Sequence, residues 1–271
     1  MLIAELPVLI VEQQAIVSAH LNRYVIVDFY LPKNIAEPAN LSLLLLNDGQ
    51  NLEEMQFAAM LDQLRASGQV RPLVCVGIHA GKDRRQEYGT AKIMDYEGRG
   101  GPRACAYQRF ILEELLPFVH RHYAIEQFRQ KAMAGFSLGG LSALDTLWNH
   151  PHIFSVAGVF SGSLWWRTKS LEDGYDDDRD RIMHRQVRAG THHPGLRFYF
   201  TTGSLDETAD RNNNGIIDSI DDTLALVGEL EQLGYHGADI SYINYEDGRH
   251  DIPTWGRAMP RFLLWGWPET S

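Results

Sequence analysis

The chain has 271 residues, 35 acidic against 25 basic, and a formal net charge of −10, so a polyanionic nucleic acid would be repelled and no basic stripe offsets this. Its two cysteines, Cys75 in an apolar run and Cys105 at a predicted helix start, make neither a disulfide framework nor a metal knuckle. No apolar stretch is long enough to span a bilayer, and Met1-Leu-Ile-Ala-Glu5 lacks a basic start leading into a long apolar run, so a cytoplasmic protein with no membrane partner is expected.

In chain order, Val8–His20 and Tyr24–Tyr30 predict an antiparallel hairpin. Leu41–Leu46 is continuously apolar, as in a parallel strand buried on both faces, and Asn47-Asp-Gly-Gln50-Asn51 follows it as a turn. A helix over Leu52–Ala66 and a strand over Leu73–Ile78 come next. Gly81–Gly101 is polar, Gly-rich and long for a connection, and is expected to form a pocket rim. A helix over Ala106–Tyr123, interrupted at Pro117, leads to a short apolar strand and then to Gly135-Phe-Ser137-Leu-Gly-Gly140. Leu138, Leu141, Leu144 and Leu147 then recur every third residue, as on one helix face. Val156–Phe160 is a strand, and Leu171–Asp180 is an acidic run read as solvated. Arg181–Arg188 reads as a short surface helix. Strands over Leu196–Thr202 and Ile240–Tyr245 flank a helix beginning near Ile220. This alternation predicts an α/β fold, with a mostly parallel central sheet, helices on both faces and an antiparallel N-terminal hairpin. No linker or repeat divides the chain. One domain over 1–271 is expected, with rim insertions near 81–104 and 164–194.

Gly135-x-Ser137-x-Gly139 sits where a strand ends and a helix begins, the setting of a nucleophile elbow. The flanking glycines leave room for the sharp turn, and the Leu138 N–H, at the positive end of the helix, is placed to stabilise an oxyanion. A base and an acid are expected after later strands, acid first. Asp206 is the acid candidate, with Glu207 and Asp210 close enough in sequence to compete. His250 is the base candidate, because His236, the other histidine after the acid, precedes its strand. A second oxyanion donor is expected from the turn after Leu46, the Gln50 N–H first and Asn51 second. Together these residues predict a serine hydrolase that cleaves a small-molecule carboxylic ester or thioester through an acyl-enzyme, with no organic cofactor. An acyltransferase or peptidase could use the same triad, and a non-catalytic, metal-stabilised protein on the same fold is a further reading. Composition says nothing of oligomeric state.

Asp210-Arg-Asn212-Asn-Asn214-Gly215-Ile216-Ile-Asp218-Ser-Ile-Asp221 matches a calcium loop of the EF-hand kind. Oxygen side chains fall at positions 1, 3 and 5, Gly at 6, the Ile216 carbonyl at 7, Asp218 at 9 and the Asp221 carboxylate at 12. A structural Ca²⁺ is therefore expected, with an Asn-rich turn as the alternative.

Gly135-Phe-Ser-Leu-Gly-Gly-Leu-Ser-Ala143, Phe154–Trp166, Asp48-Gly-Gln50 and Arg84-Arg-Gln-Glu87-Tyr88 together resemble the putative-esterase family of α/β-hydrolases, and within it the enterochelin-esterase type. The likeness runs from about residue 20 to 267. It implies Ser137 as nucleophile, His250 as base and Asp206 as acid, and it places Arg84 and Glu87 near the pocket mouth. One departure is expected: the chain is about one catalytic domain long and is read as lacking the additional N-terminal domain of bacterial enterochelin esterases. Tyr88, Trp165 and Trp166 are expected with Arg84 and Glu87 as substrate contacts.

Overall fold

Six parallel strands and an antiparallel N-terminal hairpin make one sheet of eight in the computed structural model, which describes residues 9–33 and 40–269. Met1–Glu5 and Val8, read above, lie outside these residues. The strands are β1 (Leu9–Ser18), β2 (Arg23–Pro32), β3 (Ser42–Asn47), β4 (Leu73–Ile78), β5 (Gln130–Phe136), β6 (Val156–Phe160), β7 (Arg197–Leu205) and β8 (Ile240–Arg249). Their spatial order is β1-β2-β4-β3-β5-β6-β7-β8. β2 is antiparallel to both β1 and β4, and every pairing from β4 onward is parallel.

The strand sequences explain the layers. All six residues of β3 are buried. Leu43 and Leu45 face one apolar layer while Leu44 and Leu46 face the other, the period of two that a strand imposes. Each such leucine contributes about 2 kcal/mol over leaving it exposed. Helices α1 (Phe57–Ala66) and α5 (Ile252–Gly266) cover one face. The other carries the helical stretch 102–122, α2 (Leu138–Asn149), α3 (Ile182–Arg188) and α4 (Asp218–Gln232).

Several boundaries differ from expectation for identifiable reasons. α1 starts at Phe57 instead of Leu52, because Gln56 has φ +53 and breaks the helical path. The helix expected over Ala106–Tyr123 starts earlier, at Pro102, and is not cut at Pro117. A π-helical turn over Phe110–Leu115 precedes Pro117, which falls in the first turn of the last segment, where its missing N–H is tolerated. α3 is not a surface helix: Ile182, Met183, His184 and Val187 are buried against the core. The acidic run is only partly solvated. Asp176 caps Asp177–Asp180, Asp177 accepts from Arg211 Nε at 2.8 Å, and Asp180 is buried on Thr168 at 2.9 Å. No helix among the described residues is long and apolar enough to cross a membrane.

Candidate active site

β5 ends at Phe136 and α2 begins at Leu138, so Ser137 alone makes the turn, at φ +54 and ψ −124. A non-glycine residue keeps that conformation only when its surroundings enforce it. Here the Ser137 N–H donates to Phe160 O at 2.9 Å, and Ser137 O accepts from Gly140 N and Ser163 N at 3.0 and 3.1 Å. A Cβ on Gly135 would lie 2.4 Å from Gly139 O, and one on Gly139 would lie 2.6 Å from Asp48 Oδ2. The sharp turn therefore requires Gly135, and the close approach of the Asp48 and Asn47 side chains requires Gly139. The Leu138 N–H opens the helix and has no intrahelical acceptor.

The loop leaving β6 closes on this turn. Ser161, at φ +46, donates its N–H to Thr201 O at 2.8 Å, and its Oγ accepts from Trp255 Nε1 at 3.1 Å. Two residues on, Ser163 Oγ stands 3.4 Å from Ser137 Oγ.

Asp206 and His250 sit at the tips of β7 and β8. These tips approach so closely that a Cβ on Gly203 would lie 2.4 Å from Gly248 O. Asp206 Oδ2 accepts from the Gly203 N–H at 3.0 Å, while Oδ1 is buried without a partner. The His250 ring stands edge-on to Trp255 at 5.2 Å. Burial holds the imidazole below its ordinary value, and the Arg84 charge pushes the same way, opposed by Asp206 and Asp251. The imidazole is thus neutral and able to accept a proton near pH 7. No hydrogen bond among the described residues joins His250 to Ser137 or Asp206. A cavity of about 200 Å³ opens beside His250 and Asp206, lined by Ser163, Trp165, Glu207 and Ser219 among others, and Ser137 is not part of its lining.

The turn after β3 reaches the same edge, since β3 is paired directly with β5. Gln50 lies in the first turn of a short 3-10 helix, where its N–H has no intrahelical acceptor. The alternative donor, the Asn51 N–H, is taken by Asp48 O at 2.9 Å. Gln50 Oε1 accepts from the Ala80 N–H at 3.0 Å, tying this turn to the rim. Arg84 grips Asp48 with two bonds, Nε to Oδ1 at 2.6 Å and Nη2 to Oδ2 at 2.7 Å.

Three expected substrate contacts are placed differently. Glu87 does not pair with Arg84. It is buried and takes Arg23 Nε and Nη2 at 3.1 and 2.6 Å. Tyr88 is buried beneath the β3 turn, its hydroxyl accepting from the Asp48 N–H at 3.1 Å. Trp166 is buried under the Arg99 guanidinium, 4.8 Å from its ring, and only Trp165 of the pair lines the cavity. Ser163 lies in the Phe154–Trp166 stretch and Ser219 in the 210–221 loop motif, but neither stretch marks its serine as part of the site, because only the fold brings the loop after β6 and the start of α4 to one cavity.

Most side chains of the 210–221 loop converge. Asp210 accepts from the backbone of Asn214 and Gly215 at 3.1 and 2.9 Å, and Asn214 Oδ1 accepts from Ile216 N at 2.8 Å. Asp221 accepts from the amides of Asn212 and Asn214 at 2.9 and 3.3 Å. Asp218 turns toward Arg211, accepting its backbone N–H at 2.9 Å. Among the described residues no three of His, Cys, Asp and Glu gather as a metal cluster. The amide groups meet Asp221 through their nitrogens, while the Asn212 and Asn214 oxygens accept backbone N–H groups of the turn.

Comparison with known proteins agrees with this architecture. The family described as putative esterase matches residues 18–265. Ferri-bacillibactin esterase BesA of Bacillus subtilis (strain 168) is 29% identical over 157 residues, 50% of this chain and 52% of that protein. The siderophore enterobactin esterase of Emericella nidulans is 32% identical over 105 residues, 38% of this chain and 33% of that one. The chain thus spans about half and a third of the length of these relatives. Among solved structures, a ferulic acid esterase superposes with a TM-score of 0.67 at 20% identity, covering 94% of this chain and 97% of that one. The Shigella flexneri enterobactin esterase, solved in the presence of enterobactin, gives a TM-score of 0.72 at 22% identity, covering 96% and 59%. These likenesses show an α/β-hydrolase fold.

Proposed function

This chain belongs to the putative esterase family, and from that membership we propose that it hydrolyses a small-molecule carboxylic ester with Ser137 as nucleophile, His250 as base and Asp206 as acid. The observation that carries this reading is the strained Ser137 turn, whose hydroxyl lies 3.4 Å from Ser163 on the wall of the cavity that His250 and Asp206 also line; the Leu138 and Gln50 N–H groups, which no helix uses, are the proposed oxyanion donors. Ser137 Oγ attacks the acyl carbon while His250 takes its proton, and the two N–H groups receive the developing oxyanion. His250 then protonates the leaving alcohol, and water, deprotonated by His250, releases the acid. Asp206 holds the tautomer and stabilises the imidazolium. Its unpartnered Oδ1 is the acceptor that the imidazole N–H lacks in the absence of substrate, when catalytic hydrogen bonds are often long. Relatives described as ferri-bacillibactin, enterobactin and ferulic acid esterases put aryl and catecholate esters first among substrates to try. A fluorophosphonate probe should label the wild type and not Ser137→Ala, and that variant should lose nearly all turnover of an activated ester. Wild-type-like turnover in Ser137→Ala would overturn the assignment.

We also propose that the 210–221 loop holds one Ca²⁺ through Asp210, Asn212, Asn214, the Ile216 carbonyl, Asp218 and Asp221. The run of oxygen-bearing residues at positions 1, 3, 5, 9 and 12 supports it, these being the hard donors this cation prefers; Asn212 and Asn214, which now turn amide nitrogens to Asp221, would have to rotate. Asp218 would have to turn from Arg211. The ion's part would be structural, bracing the segment that follows Asp206.

A further inference from the structure

Glu207 has no part in the mechanism above, yet it lies on the cavity wall with one carboxylate oxygen, Oε1, buried and without a hydrogen-bond partner. Ser219, 9% exposed, lines the same wall, and its Oγ is likewise buried and unpartnered. Two buried polar groups left open onto a cavity are a costly arrangement unless something from outside completes them. The surroundings indicate what that something is. Asp206, Asp218 and Asp222 act on Glu207 as like charges. The nearby guanidinium groups are engaged elsewhere: Arg211 binds Asp177, Asp218 and Asp222, and Arg181 binds Asp222 at 2.8 Å. Burial first, and these like charges after it, push the Glu207 carboxyl up against a hydrogen bond from the Ser219 backbone, so an incoming group that brings both positive charge and N–H donors favours its ionised form more than a neutral hydroxyl does. The volume, about 200 Å³, has room for a short amine-bearing chain. Trp165 gives this chain an apolar wall.

We propose that Glu207 and Ser219 form a subsite beside His250 that takes a protonated amine carried by the ester substrate, so that the site prefers amine-bearing esters over their neutral isosteres. This rests on the esterase reading above and adds the substrate class.

The test is a pair of matched esters, p-nitrophenyl 3-aminopropanoate against p-nitrophenyl butanoate, in which an ammonium replaces a methyl group. A second pair, 5-aminopentyl butanoate against hexyl butanoate, moves the charge to the alcohol side. The wild type should favour the amine ester in at least one pair by about tenfold or more in kcat/KM, chiefly through KM, the size expected for a charge-assisted hydrogen bond. Glu207→Gln should bring that ratio close to one, and Ser219→Ala should lower it less. A wild-type ratio at or below one in both pairs overturns the subsite without any variant having to fold. So does a ratio that Glu207→Gln leaves intact, including the case in which both esters of a pair slow equally. Failure of the underlying reading looks different, because Ser137→Ala would then still hydrolyse the neutral ester.

Discussion

Arg84 reaches the reacting centre through charge and not through contact. Its guanidinium holds Asp48 in place and depresses the His250 imidazole, already lowered by burial from its ordinary 6.5. A base works when neutral, so activity is present above the His250 pKa and lost as pH falls through it. Arg84→Met removes a cation and frees the Asp48 carboxylate, and both changes favour the imidazolium. The acid limb of the kcat/KM profile should move to higher pH, and a limb that stays put or moves down would refute the coupling. Asp206→Asn should slow kcat by roughly 10⁴-fold through the wrong tautomer. If Glu207→Gln were as severe on a neutral ester, the acid would be the neighbour. Ser137 could be read from the chain because its turn, glycines and helix are all local. The fate of Glu87 could not, because its partner Arg23 lies 64 residues away and burial decides the pairing.

Asp145, fully buried on α2, joins several elements. It accepts from the rim at Ala91 N, from Gln108 on the preceding helix, both at 2.8 Å, and from Gln186 on α3 at 3.2 Å. Burial outweighs these donors and pushes its carboxyl from 3.8 up to about 6. The folded state therefore binds the proton more tightly than the unfolded chain does. This stabilisation is complete below the unfolded value and lost as pH rises through the folded one. Relative to Asp145→Asn, the wild type should lose roughly 2 kcal/mol of stability between pH 4 and pH 7, measured by urea unfolding. A constant difference would show that the carboxyl is ionised throughout. The 210–221 loop makes its own prediction. Ca²⁺ should raise the melting midpoint of the wild type and not of Asp210→Ala, with about 3 kcal/mol gained at a hundredfold excess over Kd. A midpoint that neither Ca²⁺ nor a chelator moves leaves a plain turn. Element types were legible from apolar patterning, while starts such as Phe57 turned on one backbone angle at Gln56.

Across the whole sheet, strand order explains why the chemistry gathers where it does. After β3 the chain steps outward to β4, then returns past β3 to lay down β5 and continues the other way. The connections diverge at β3 and β5, and the crevice beyond their carboxyl ends receives Gln50 from one strand and Ser137 from the other. The alternating pattern predicted a parallel sheet, but not which strands are neighbours, since sequence separation says little about pairing across 92 residues such as Asn47 Nδ2 to Gly139 O. The same order has a consequence in time. On the proposed assignment the nucleophile is in place once β5 and β6 dock, whereas acid and base arrive only with β7 and β8, the last strands to be synthesised. A nascent chain would thus carry its serine unarmed for more than a hundred residues of translation. Phosphonylation by a fluorophosphonate should switch on only when the segment through His250 has left the ribosome, and labelling of a chain stalled before Ile240 would show that the serine is armed without His250.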